Sequence, residues 1–275
     1  MDSINQILNV FFNFVFWPFK NIDPVWGLIV VSFLTSILML GIFKATSDQQ
    51  GIKKAKNLFK AHFLAIRLYR DDLGLIFNTM KNIIVSNLFY LKKSLRPMLF
   101  LIIPLGLVLI HLGTRYENRP LRVGENTILT VRLNENVSLD RLKEVQPLLP
   151  DGIKFEIPPV RIPRLGEINW RIVAVKSGDF EITFNLDGET FRKRLRISDE
   201  LVTTSSRIAS DSFTTTLMNP VESSLDSQSP VTMIAIKYPK RSLRVAGFDV
   251  HWLVAFFIFS LVSAFSLKGI LGVEV

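Results

Sequence analysis

The chain has 275 residues, a net charge of +9 and 48% hydrophobic residues against 21% charged ones. Soluble domains carry more surface charge than this, so the mean hydropathy of +0.31 points to a membrane protein and excludes collagen-like and disordered classes. Cysteine is absent and the three histidines, His62, His111 and His251, fall in separate segments. This excludes disulfide, iron–sulfur, thiolate-zinc and cysteine-nucleophile chemistry and leaves no spacing for a histidine metal site.

Residues 1–24 come first. They are aromatic-rich but have no basic n-region before Lys20 and no small-residue cleavage site, so they do not read as a secretory signal. Asn5, Gln6, Asn9 and Asn13 alternate with Ile7, Phe11, Phe14 and Val15 at near-helical spacing. The pattern predicts an amphipathic helix lying in the membrane interface and ended by Pro18; a short re-entrant hairpin is the other reading. Residues 25–43 follow, and Trp26 to Phe43 holds no charge over 18 residues, which predicts the first spanning helix.

Residues 44–97 carry 11 Lys/Arg and three acids. Apolar side chains recur three and four apart as Ile52, Ala55, Phe59, Phe63, Ile66 and Tyr69, then resume as Ile76, Met80 and Ile83 after Asp71-Asp72-Leu73-Gly74. Two antiparallel helices in a coiled-coil-like hairpin are expected, with Phe59, Phe63, Ile66, Ile76, Met80 and Ile83 in the seam. The cations Lys53, Lys54, Lys56, Lys60, Arg67, Arg70, Lys92, Lys93 and Arg96 then form basic faces. Such faces are solvated or meet anionic membrane lipid. Nucleic acid is the weaker option, because no base-stacking motif accompanies the charge.

Residues 98–113 form a second apolar run of 16 residues that carries Pro104 and reads as a short span or a buried helix. From 114 to 247 the pattern becomes strand-like, in TILTVRL (127–133), NWRIVAVK (169–176), FEITFNL (180–186), TFRKRLRI (190–197) and VTMIAIKYP (231–239). Turns at Ser177-Gly178-Asp179 and Asp187-Gly188 make 168–197 a predicted three-stranded meander, and 202–230 reads as a long exposed loop. The whole is expected to be a small β-sandwich, with immunoglobulin-like domains as a template, and it shows no catalytic cluster. Residues 248–275 supply the third spanning helix and a short cytoplasmic tail. None of the three apolar runs contains Arg or Lys.

The fold class expected is therefore an α-helical membrane protein. It has three transmembrane helices, an N-terminal interfacial helix, a cytoplasmic helical hairpin and an inserted extracytoplasmic all-β sandwich. The orientation comes from charge: the excess of eight cations in 44–97 places that segment in the cytoplasm, while 114–247, with 20 basic and 17 acidic residues, translocates.

This order of parts resembles the YidC/Oxa-type insertase superfamily, whose minimal members share three spans and a basic cytoplasmic hairpin. The likeness is architectural and covers residues 26–113 and 250–272. Its closest local features are Ser47, Asp48 and Gln50 followed by Ile52-Lys53-Lys54, and the Leu95-Arg96-Pro97 approach to the second span. The resemblance implies a lipid-open, partly hydrophilic groove. Ser32, Thr35 and Ser36 on the first span and Ser260, Ser263 and Ser266 on the last are its candidate lining, and they are equally small polar residues suited to helix packing. Two functions stay open: an insertase-like factor acting on client membrane proteins, and a non-catalytic scaffold in a larger membrane complex. Neither is an enzyme, neither needs a cofactor or a metal, and both belong in a bacterial cytoplasmic (inner) membrane.

Overall fold

Long apolar or amphipathic sequence builds the helices, and alternating sequence builds the sheets. The computed structural model describes residues 2–68, 73–134, 141, 145–186, 188–210, 220–226 and 228–273. Helix α1 covers Asp2–Phe16 and leads through a 3₁₀ turn, Trp17–Phe19, to α2, Pro24–Thr46. Helix α3 covers Gln49–Leu68, α4 covers Leu73–Tyr116, and α5 covers Trp252–Leu271 near the chain end. Among the described residues three helical stretches are long and apolar enough to cross a membrane: Pro24–Thr46, Pro97–Tyr116 and Trp252–Leu271.

Helix α4 differs from expectation in one instructive way. It is a single 44-residue helix that contains Pro97 and Pro104, so the basic segment and the second apolar run share one rod. A proline inside a helix removes one amide donor, yet the helix runs through both. The helical stretch long and apolar enough for a span is Pro97–Tyr116, 20 residues, which adds Pro97 and residues 114–116 to the 98–113 run. At about 1.5 Å per residue it is about as long as a bilayer core is thick.

The chain divides into two compact units, Met1–Gly27 with Leu109–Trp252, and Leu28–Val108 with Leu253–Val275. The first unit holds the strands: β1 Asn126–Leu133, β2 Pro147–Leu148, β3 Ile153–Phe155, β4 Val160–Ile162, β5 Glu167–Ala174 and β6 Gly178–Leu186. Then come β7 Glu189–Ile197, β8 Arg207–Ala209, β9 Val231–Ile236, β10 Leu243–Val245 and β11 Phe248–Val250. One sheet has the order β3-β5-β1-β9-β8 with β4 also on β5; a second has β2-β6-β7; β10 and β11 form a separate ribbon.

Period-two burial gives both sheets one apolar face. Leu129, Val131, Ile168, Trp170 and Ile172 of the larger sheet share a single core with Ile182, Phe184, Leu195 and Ile197 of the smaller. The Trp170 and Phe184 rings sit 6.1 Å apart across it. This overturns the meander expected over 168–197: β5 pairs with β1, β3 and β4, while β6, among the described residues, pairs with β7 and β2 and not with β5. Two apolar faces bury each other only from different layers, so the chain crosses between sheets after β5. Gly152, just before β3, lies so close to the Phe180 ring that a Cβ there would clash with it.

Residues 202–230 also differ from the exposed loop expected of them. Within them Thr204, Ser205, Ile208, Leu225 and Ser229 are buried, and β8 pairs with β9. Their backbone amides find partners on the fold, as when the Thr204 N–H donates to the Thr114 carbonyl at 2.7 Å. Polar composition marked a loop, yet satisfied hydrogen bonds let polar chain lie inside. Asp187 of the predicted second turn lies outside the described residues, and Leu186 pairs with Glu189 across it.

Candidate functional site

In α2, Ser32 and Ser36 are one helical turn apart, with Thr35 beside them, and all three are buried. The Ser36 hydroxyl lies 2.8 Å from the Ser32 carbonyl and 2.9 Å from the Ser260 carbonyl of α5, so its single proton is shared between two helices. The Ser32 and Ser260 hydroxyl oxygens are themselves buried and have no hydrogen-bond partner among the described residues. An unsatisfied buried hydroxyl costs on the order of 1–3 kcal/mol, so this contact holds unused hydrogen-bonding capacity.

The six hydroxyls anticipated from sequence do not all converge. Residues three apart on a helix drift by about 60° per step, so Ser260, Ser263 and Ser266 fan across α5. Ser263 is half-buried, and Ser266 is exposed and donates back to the Val262 carbonyl at 2.9 Å. The structure therefore gathers Ser32, Ser36 and Ser260 and leaves Ser266 outside. Lys44 fixes the other end of the same helix pair: its ammonium donates to the Leu271 carbonyl at 2.7 Å, at the negative end of the α5 dipole.

The basic segment begins at a capped helix. The Asp48 carboxylate accepts from the Gly51 N–H at 2.9 Å, which satisfies one of the orphan donors of α3. Lys53, Lys54 and Lys60 are exposed and Lys56 is half-buried. Lys53, Lys56 and Lys268 line a cavity of about 530 Å³ with Gln49 and Gln50. The side chains of Arg67, Arg70, Lys92, Lys93 and Arg96 lie outside the described residues, as does the turn at 69–72. Of the expected seam, Phe59 is exposed and Ile83 half-buried, while Phe63, Ile66, Ile76 and Met80 fall outside the described side chains.

Sequence reasoning missed one charged residue. Arg115 lies within the apolar stretch of α4 and is only 1% exposed. Its guanidinium donates to the His111 carbonyl at 3.1 Å and to the Asn13 side-chain oxygen at 2.6 Å, and it stands 5.0 Å over the Phe16 ring. His111 stacks on Phe12 at 4.8 Å, and the Tyr116 hydroxyl donates to the Pro24 carbonyl at 2.8 Å. The signal available was the four-residue spacing of His111 and Arg115, which puts both on one helix face. Just beyond, Glu117 accepts from Lys240 and from the Trp252 indole, and these bonds hold its carboxyl below the usual range. Compared with known proteins, the sequence matches no family model and no curated protein.

Proposed function

We propose that this chain is an integral membrane protein that helps other membrane proteins insert, in the manner of the YidC/Oxa-type insertases and without covalent chemistry. The observation that carries the reading is the pair of buried hydroxyls without partners, Ser32 and Ser260, at a contact between two otherwise apolar helices. In hydrocarbon an unsatisfied peptide group costs several kcal/mol, which is the barrier any polar client segment meets. Parting α2 from α5 at this point presents Ser32, Ser36 and Ser260 to a client backbone and lowers that barrier. The basic segment supports the orientation, with 44–97 in the cytoplasm and the β unit outside a cytoplasmic membrane.

A scaffold within a larger membrane complex is the second reading. The observation in its favour is the Ser36 bond to both helices, which is also how small polar residues hold a fixed packing contact. Photocrosslinkers at Ser32 and Ser260 separate the two: adducts with many nascent chains support insertion, and a single discrete adduct supports the scaffold. Orientation is tested by cysteines at Glu189 and Lys54, both exposed. An impermeant reagent applied to intact cells is expected to label the first and spare the second.

A further inference from the structure

We propose that the cavity formed by α1, the Trp17–Lys20 turn and strand β7 binds an anionic phosphoryl group, either free phosphate or the headgroup of an anionic phospholipid. The cavity has a volume of about 690 Å³. Four cations line it, Lys20, Arg115, Arg194 and Arg196, together with the amides Asn9 and Asn13, and no Asp or Glu is among its described lining residues. The fold creates this convergence. On β7 the side chains alternate, so Lys193 and Leu195 enter the core while Arg194 and Arg196 stand together on the opposite face. Arg115 arrives from the end of α4, and α1 brings its asparagines.

Among the described residues these charges are short of counter-ions. Arg115 is buried, and the acceptors it reaches, the His111 carbonyl, the Thr114 hydroxyl and the Asn13 amide oxygen, are all neutral. Lys20 and the Arg194 side chain have no ion pair among the described residues. Arg196 is partly neutralised, because its Nε donates to Asp179 at 2.5 Å. Glu222, next in sequence to the lining Val221, is already occupied: one oxygen accepts from the buried Lys193 ammonium and the other from the Arg194 backbone N–H at 2.7 Å. A buried or clustered charge is favoured only with a partner, and guanidinium forks match phosphoryl oxygens in geometry and charge.

Two further features fit this chemistry. The Asn13 oxygen faces Arg115, which leaves its amide NH₂ as a neutral donor. Phe14 and Trp17 also line the cavity and are 78% and 69% exposed, so an apolar rim borders the cationic floor. The volume lies within the range of small-molecule sites.

The test uses the full-length protein, delipidated in a neutral detergent. Inorganic phosphate and short-chain phosphatidylglycerol are titrated separately, with phosphatidylcholine as the net-neutral control, and intrinsic tryptophan fluorescence and thermal unfolding are read. A saturable response to phosphate alone identifies free phosphate, and one to phosphatidylglycerol alone identifies a headgroup. The paired variant Lys20→Gln/Arg194→Gln removes a half-buried and an exposed cation, neither with an ion pair among the described residues, and should fold normally. Each loss is expected to weaken binding by about tenfold or more. Arg115→Lys keeps the charge, loses the fork and should also weaken binding. The proposal is overturned by no saturable response to either phosphate source, by an equal response to phosphatidylcholine, or by unchanged affinity in the paired variant.

Discussion

The β unit and the apolar helices contain similar residues and use them in opposite ways. Along β1, β5, β6 and β7 the alternate apolar side chains that face the core, such as Leu129, Val131, Ile168, Ile172, Ile182, Phe184 and Leu195, are almost wholly buried. Along α5 the same residue types point outward, with Leu261, Val262 and Phe265 exposed and Ile270 81% exposed. Water tolerates the first arrangement and not the second, at about 25 cal/mol per Å² of bare apolar surface. The polar groups are inverted as well: in α2 it is Ser32, Thr35 and Ser36 that are hidden. A helix with its apolar side chains outside and its hydroxyls inside is built for an apolar surrounding, in keeping with the proposed bilayer.

The sharpest test of this contrast is a pair of truncations. Trp170→Ala in the β core is expected to cost about 3–5 kcal/mol, whereas Ile258→Ala on the outer face of α5 should cost less than about 1 kcal/mol in detergent. Protease sensitivity and denaturant unfolding of the whole protein read both, and equal losses would erase the distinction between the regions.

Lys193 breaks the rule that the β core is apolar. It occupies an inward position of β7, is fully buried, and donates to Ser205 and Glu222. Burial pushes its ammonium below the usual lysine range, and Glu222 opposes that shift. Glu222→Ala should strand the charge and cost about 3–5 kcal/mol, while Lys193→Met with Glu222→Leu should recover most of the loss. Failure of the double variant to recover would mean that the pair does more than satisfy itself.

Gly27 is where α2 meets close neighbours within its own unit. A Cβ there would lie 2.9 Å from the Tyr116 hydroxyl and 3.1 Å from the Phe16 ring. Gly27→Val is expected to destabilise by about 1–3 kcal/mol, seen as a lower midpoint of thermal unfolding. Gly41 and Gly106 have open space around them, and alanine there should leave the midpoint nearly unchanged.

Acid should act on the β unit through Glu125. Its two oxygens accept from the Arg119 guanidinium at 2.7 and 2.8 Å, which holds its carboxyl down to about 2. A depressed carboxyl stabilises the fold above its ordinary value of 4.5, and that contribution disappears as pH falls from 4.5 toward 2. After solvent screening it amounts to about 1 kcal/mol. Arg119→Gln should flatten the acid limb of the stability profile by that amount. The smallest effect belongs to Ser36→Ala, about 0.6 kcal/mol for one interhelical hydrogen bond, read as a slight loss of thermal stability in detergent.

Period and composition carried much of this architecture before any coordinates. The uncharged run from Trp26 to Phe43, the alternation in TILTVRL and the Asp-Gly between β6 and β7 each depend on neighbours in sequence, and local patterns of that kind report helix, strand and turn. The helix that carries the second apolar run continues through Arg115, which looks like a terminus in sequence. Its charge is accommodated by Asn13, 102 residues away. The hydroxyls of Ser32 and Ser36 were legible from their spacing, but which of the α5 serines meets them depends on how two helices are rotated against each other. The sheet assignment of β5 and β6, the burial of Lys193 against Glu222, and the cavity between α1 and β7 were decided by tertiary structure alone. Each depends on side chains far apart in the chain, where the free energy of burying a face or pairing a charge exists only once the layers have closed.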